Sequence, residues 1–181
     1  ERMDDIEAAE KQYKRAVSLN SKDPDTLNAY AAFLCRTPGR RAEAMKVFDK
    51  ALAIPLSVKY TNKAALFANA GVCIKQDDLA KAEDYLRRAL QVDPRYGEAL
   101  LQMADVAYQR GNHLQARAFL ERYFAVAPVS APVLWLGVRI ERALGDADAA
   151  KVYAVQLKND FPESVETRLL LEQERNAGQT G

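Results

Sequence analysis

Along most of the chain apolar residues return at intervals of three and four, the spacing that gathers them on one side of a helix. Leu100, Met103, Ala104 and Ala107 form one such run, and Ala116, Phe119, Leu120 and Tyr123 the next. A short polar turn separates the two. Similar turns fall at Gln76-Asp77-Asp78, Gly111-Asn112 and Gly145-Asp146, where glycine or a short polar residue can take the left-handed backbone that stops a helix. The pattern predicts pairs of amphipathic helices.

These pairs recur at a fixed interval of 34 residues. Pro94, Pro128 and Pro162 keep that spacing, as do Ala82, Ala116 and Ala150, and Gly111 with Gly145. Three residue types therefore agree on one register, which marks a repeat architecture. The alanine lets the two helices of a unit approach closely. Proline closes each unit, because it cannot continue the second helix but can start the next. Asp93 and Ser130 are expected to cap the helices that follow them.

The pattern resembles the tetratricopeptide repeat, a 34-residue helix pair with small residues at its eighth and twentieth positions and proline at its thirty-second. The resemblance implies an all-α fold, a right-handed superhelical solenoid. Upstream the register loosens. Ala9, Tyr13 and Ala16 read as the second helix of a partial repeat over 4–23, and Leu27-Asn28-Ala29-Tyr30-Ala31 opens the first full one. Full repeats are expected at about 24–57, 62–96, 97–130 and 131–164, then a polar capping helix at 164–176 and a disordered tail at 177–181. An extra residue near Thr37-Pro38-Gly39 and a longer connection at 55–61 absorb the irregular spacing.

Charge and composition narrow the function. With 26 basic and 25 acidic side chains the chain has no broad positive field, so nucleic acid or an anionic membrane loses its usual support as the main partner. The longest uncharged stretch, 123–138, contains two prolines and falls short of the roughly 20 apolar residues of a membrane span. The chain opens on Glu1-Arg2-Met3-Asp4-Asp5 with no basic start or apolar run, so an export signal, if used, is expected to have been removed. His113 is the one histidine and is expected to be a solvated turn residue. It cannot assemble a nucleophilic triad or a histidine metal site alone. Glycines stand singly, without a phosphate cradle. Nearly every residue belongs to a repeat, so no enzyme activity, metal, cofactor or small-molecule substrate is expected.

In tetratricopeptide proteins the first helix of each repeat lines a concave surface. Carrying those inner positions over by register points to Asn28, Phe67, Leu101, Asp105, Tyr108, Trp135 and Arg139. Large apolar and aromatic residues with arginine are the types enriched at binding hot spots, so the surface suits an apolar peptide or helix. Asp105 and Arg139 stand at equivalent places in successive repeats and could pair. The carboxylate clamp of co-chaperones is absent, since Asn28 and Ala32 stand where its first pair would be. Cys35 and Cys73 occupy nearly equivalent places late in two first helices. They suit either a disulfide, which needs Cα atoms within about 7 Å, or two small buried contacts.

A finer resemblance lies in LNAYAAFLC at 27–35, NAGVC at 69–73, AEDYLRRALQVDP at 82–94, ARAFLERY at 116–123, LWLGVRIERALGD at 134–146 and LKNDFPESVET at 157–167. In this order they resemble the type IV pilus biogenesis and stability family PilW/PilF, pilotins of the pilus secretin. The resemblance implies an outer-membrane lipoprotein facing the periplasm, whose partner is the secretin subunit or another pilus-assembly protein. Its anchoring cysteine would precede Glu1. The periplasm permits disulfides, so the resemblance also implies a Cys35–Cys73 bridge. A scaffold for other envelope or cytosolic proteins is the alternative.

Overall fold

The computed structural model describes residues 2–55 and 62–179. They form helices throughout: α1 (Arg2–Leu19), α2 (Pro24–Arg36), α3 (Arg41–Leu52), α4 (Lys63–Ile74), α5 (Leu79–Val92), α6 (Gly97–Gln109), α7 (His113–Phe124), α8 (Ala131–Leu144), α9 (Ala147–Asp160) and α10 (Val165–Gln179). The architecture is all-α and follows the tetratricopeptide arrangement. Most of the connection expected at 55–61, and the last two residues of the expected tail, lie outside the described residues. The chain divides into two compact units, Glu1–Ala99 and Leu100–Gly181.

Helix boundaries follow local chemistry. Pro24 sits in the first turn of α2, where its missing N–H costs nothing, and Asp23 accepts a hydrogen bond from the Thr26 amide at 2.8 Å. Asp78 caps α5 through the amides of Ala80 and Lys81. Gly39, Gly111 and Gly145 have positive φ near 76°, so three of the inter-helix turns use the left-handed glycine. The turn at Gln76-Asp77-Asp78 departs from the expectation. Lys75 stays right-handed at φ −52° and no other described residue has positive φ, so that turn closes through the Asp77 and Asp78 amides on the Ile74 carbonyl. Asp93 departs as well. It ends α5 rather than capping α6, because a turn over Pro94 and Arg95, closed by the Tyr96 amide on the Asp93 carbonyl, delays α6 to Gly97. Ser130 does precede α8, but its side chain makes no capping hydrogen bond.

In the first unit, Leu27, Tyr30, Ala31 and Leu34 of α2 pack with Ala44, Phe48 and Ala51 of α3 and with Leu66, Ala70 and Cys73 of α4. Tyr13 and Val17 of α1 close the edge of this core. Gly71 permits the tightest approach: a Cβ there would meet Leu86 Cγ at 2.9 Å and the Ala82 carbonyl at 3.2 Å.

A polar cluster ties α1 to the start of α3. Arg40 donates to both oxygens of Glu10, at 2.5 and 2.9 Å, and to Glu43, while Lys14 and the Tyr30 hydroxyl also reach Glu10. The hydrogen bonds from Arg40, then those from Lys14, hold the Glu10 carboxyl down to about 2, against an ordinary value of 4.5. The folded state therefore gains from this ionised carboxylate above pH 4.5 and loses the gain as pH falls through that value toward 2. Glu10 remains partly solvated, so the gain is on the order of 1 kcal/mol. Glu10→Gln should flatten this part of the acid limb in urea unfolding measured across that pH range.

In the second unit, Leu134 and Val138 of α8 pack with Ala154 and Leu157 of α9 and Leu170 of α10, flanked by Phe124, Trp135, Tyr153 and Phe161. Gly137 lies under the Tyr153 ring, where a Cβ would come within 2.9 Å. α10 begins 34 residues after α8 but presents a different face. Leu134, Val138 and Glu141 are buried in α8, whereas the residues one period later, Arg168, Glu172 and Arg175, are exposed. Thr167 secures α10 by donating to the Phe161 carbonyl at 2.7 Å, satisfying a group at the end of α9.

Candidate partner-binding site

The expected groove positions divide between the two units. In the second, Leu101, Asp105 and Tyr108 fall at i, i+4 and i+7 of α6, which places them on one side of that helix. Trp135 and Arg139 take the same i, i+4 relation on α8. All five are half-buried. The Arg139 guanidinium lies over the Tyr108 ring, 4.4 Å from its centroid, and so joins the two helix faces. Asp105 accepts from Gln109 Nε2 at 2.8 Å. Arg139 also makes a cation–π contact with α6, worth about 0.5–1 kcal/mol at such a site. Trp135 packs one side against the core of this unit and leaves the remainder accessible.

His113 is the first residue of α7 and half-buried, not a solvated turn residue. Its ring lies 5.3 Å from that of Tyr108, and its buried Nδ1 has no hydrogen-bond partner. The aromatic contact draws it inward. Arg139 and His113 therefore both contact the Tyr108 ring, the first over its face and the second at a tilt of 49°. No cluster of metal-ligating side chains occurs among the described residues.

In the first unit, Asn28 lies on α2 and accepts from Asn69 Nδ2 of α4 at 3.0 Å. The pair retains Asn28 Nδ2 as a donor and Asn69 Oδ1 as an acceptor, the complement of a peptide main chain. Phe67 has to be corrected. Its side chain is only 5% exposed, and the Arg88 guanidinium covers its ring at 4.3 Å. Facing α5 makes it a core residue. Leu101 and Trp135, one and two periods later, stay half-buried.

Cys35 and Cys73 form a disulfide with Cα atoms 5.7 Å apart. It belongs to a seam between α2 and α4 that also contains the Asn69–Asn28 bond and one from Asn62 Nδ2 to Asp25 Oδ1, both 3.0 Å. Asn62 and Asn69 were not singled out by sequence; their spacing from Cys73, at three to four residues per step, is the signal that aligns them.

Paired helices in this register, with half-exposed aromatic and basic side chains on first helices, define a tetratricopeptide repeat protein. Residues 73–136 match the tetratricopeptide repeat family model. The chain belongs to the PilW/PilF family of type IV pilus biogenesis proteins. It is 34% identical to PilW, described as a widely conserved type IV pilus biogenesis factor, whose crystal structure superposes with a TM-score of 0.79 over 90% of this chain and 74% of that one. The structure of Pseudomonas aeruginosa PilF gives a TM-score of 0.78 at 26% identity, over 91% of this chain and 73% of PilF. In sequence the chain is 27% identical over 159 residues to the type IV pilus assembly protein PilF of Pseudomonas aeruginosa strain PAO1, covering 87% of this chain. It spans 62% of that relative's length. Among the described residues no helix is long and apolar enough to cross a membrane.

Proposed function

We propose that this protein is a non-enzymatic scaffold for type IV pilus biogenesis that supports assembly, outer-membrane targeting or stability of the pilus secretin. In this reading it acts in the periplasm and is held at the outer membrane by a lipid anchor. The partner is a secretin segment, bound without covalent chemistry. The family resemblance supplies the pilus context, and the observation that carries the binding reading is the Arg139–Tyr108 contact between two half-exposed helix faces.

A preset arginine–tyrosine pair, with Leu101 and Trp135 on the same two faces, offers large contact area at little ordering cost. Such anchors dominate interface energies, at about 2 kcal/mol or more each. Tyr108→Glu or Leu101→Glu should therefore weaken binding of a labelled secretin peptide by roughly thirtyfold, with helicity and melting temperature retained. A collapse of melting temperature would show those residues to be core. In a pilus-bearing bacterium lacking its own copy, the lipidated protein should restore detergent-resistant secretin multimers, and the two variants should not. Stable expression without recovery would favour the general scaffold reading instead.

A further inference from the structure

We propose that the face of α1 and α3 turned away from α2 docks on an anionic lipid surface. This inference is independent of the pilus reading. Lys11 and Arg15 are exposed and lie on the side of α1 opposite Tyr13 and Val17, the residues that pack into the core, and Lys22 is exposed in the turn that follows α1. On α3, Lys46 and Lys50 are exposed opposite Ala44, Phe48 and Ala51, which are fully buried. Both helices pack on α2, and the Arg40–Glu10 bonds hold α1 beside the start of α3.

What makes this face positive is the use of its acids elsewhere. Glu10 is taken by Arg40 and Lys14 and Glu43 by Arg40, while Asp49 accepts from the neutral Tyr85 hydroxyl at 3.3 Å and keeps its charge. Several cations elsewhere in the chain pair with carboxylates, as in Arg41–Asp77, Arg87–Glu83 and Lys158–Glu174. Among the described residues the five cations of this face form no ion pair. Glu7, one turn before Lys11, is the nearest exposed acid on α1, and with Asp49 on α3 it offsets part of the charge while the face stays net cationic. The protein as a whole carries a formal charge of only +1. Attraction to an anionic surface would thus orient the molecule as well as hold it.

The chemistry favours lipid headgroups over an acidic protein. Four of the five cations are lysines, point charges without the fork that selects a carboxylate geometry. They stand in two open columns, whereas a peptide needs pockets for its side chains. Leu19, at the end of α1, is 74% exposed and gives the face one apolar group to insert.

The test uses the full chain with vesicles of equal parts phosphatidylcholine and phosphatidylglycerol, and with phosphatidylcholine vesicles alone, in a sedimentation assay at low ionic strength. Binding is expected only to the anionic vesicles and should fall with added salt. Each cation near such a surface contributes about fivefold in partitioning. Lys11→Gln and Lys46→Gln should each show that loss, while Lys151→Gln on α9 should leave partitioning unchanged. Failure to bind the anionic vesicles, equal binding to both compositions, or an equal loss with Lys151→Gln would overturn the proposal and leave the face to an acidic protein partner.

Discussion

Replacing Cys35 and Cys73 together by alanine should lower the stability of the first unit by about 4 kcal/mol, the chain-entropy value for a loop closed across 38 residues. The loss should come mostly from the unfolded state. Both side chains are small, and Cys73 is buried beside Leu66 and Ala70, so alanine leaves only a slight packing defect. What disappears is the restraint that keeps α2 and α4 together when the rest of the unit has opened. Urea unfolding followed by far-ultraviolet circular dichroism, with and without reductant, checks this. Reduced wild-type protein and the double alanine variant should share one lowered midpoint. A loss under about 1 kcal/mol would mean that the Asn69–Asn28 and Asn62–Asp25 bonds, with the Leu27 and Leu34 packing, already hold the seam in the unfolded ensemble.

The repeat itself was legible because each structural role needs one residue type at one place. Proline ends the second helix, alanine admits its partner, and glycine turns the chain, so all three repeat with the same period. Groove exposure was less legible, since register assigns a residue to a helix side but not the neighbour that covers it. Phe67 and Leu101 share a register position. Phe67 lies beneath an arginine, and nothing in the local pattern at 67 announces Arg88, which comes from the next helix. His113 departs from its pattern for a related reason: adjacency to Gly111-Asn112 suggests a turn, but the Tyr108 ring provides a surface for it to pack on. The two closely approached glycines, Gly71 and Gly137, do not share a repeat position, so the 34-residue register carries no signal for them. Each answers instead to one large neighbour, Leu86 or Tyr153.

Glu141→Lys should destabilise the second unit by about 3–5 kcal/mol, the usual cost of breaking a buried ion pair and leaving an uncompensated charge inside. The sequence pattern treats Glu141 as one more helical glutamate, yet it is 2% exposed and lies against the Arg117 guanidinium. Arg117 reaches from α7 with Nε 3.0 Å from Glu141 Oε1, a second contact to Oε2, and a third to Asp146 at 3.2 Å. Its side chain is 30% exposed, so it can turn toward solvent or keep Asp146 if its partner is lost. Glu141 has no such exit. Arg117→Leu should therefore be worse tolerated than Glu141→Leu, and combining the two should restore much of what Arg117→Leu loses, because the stranded carboxylate is then gone. Thermal unfolding of the three variants decides the matter. If Arg117→Leu alone melts close to the wild type, water reaches Glu141, and the contact between α7 and α8 does not depend on the ion pair.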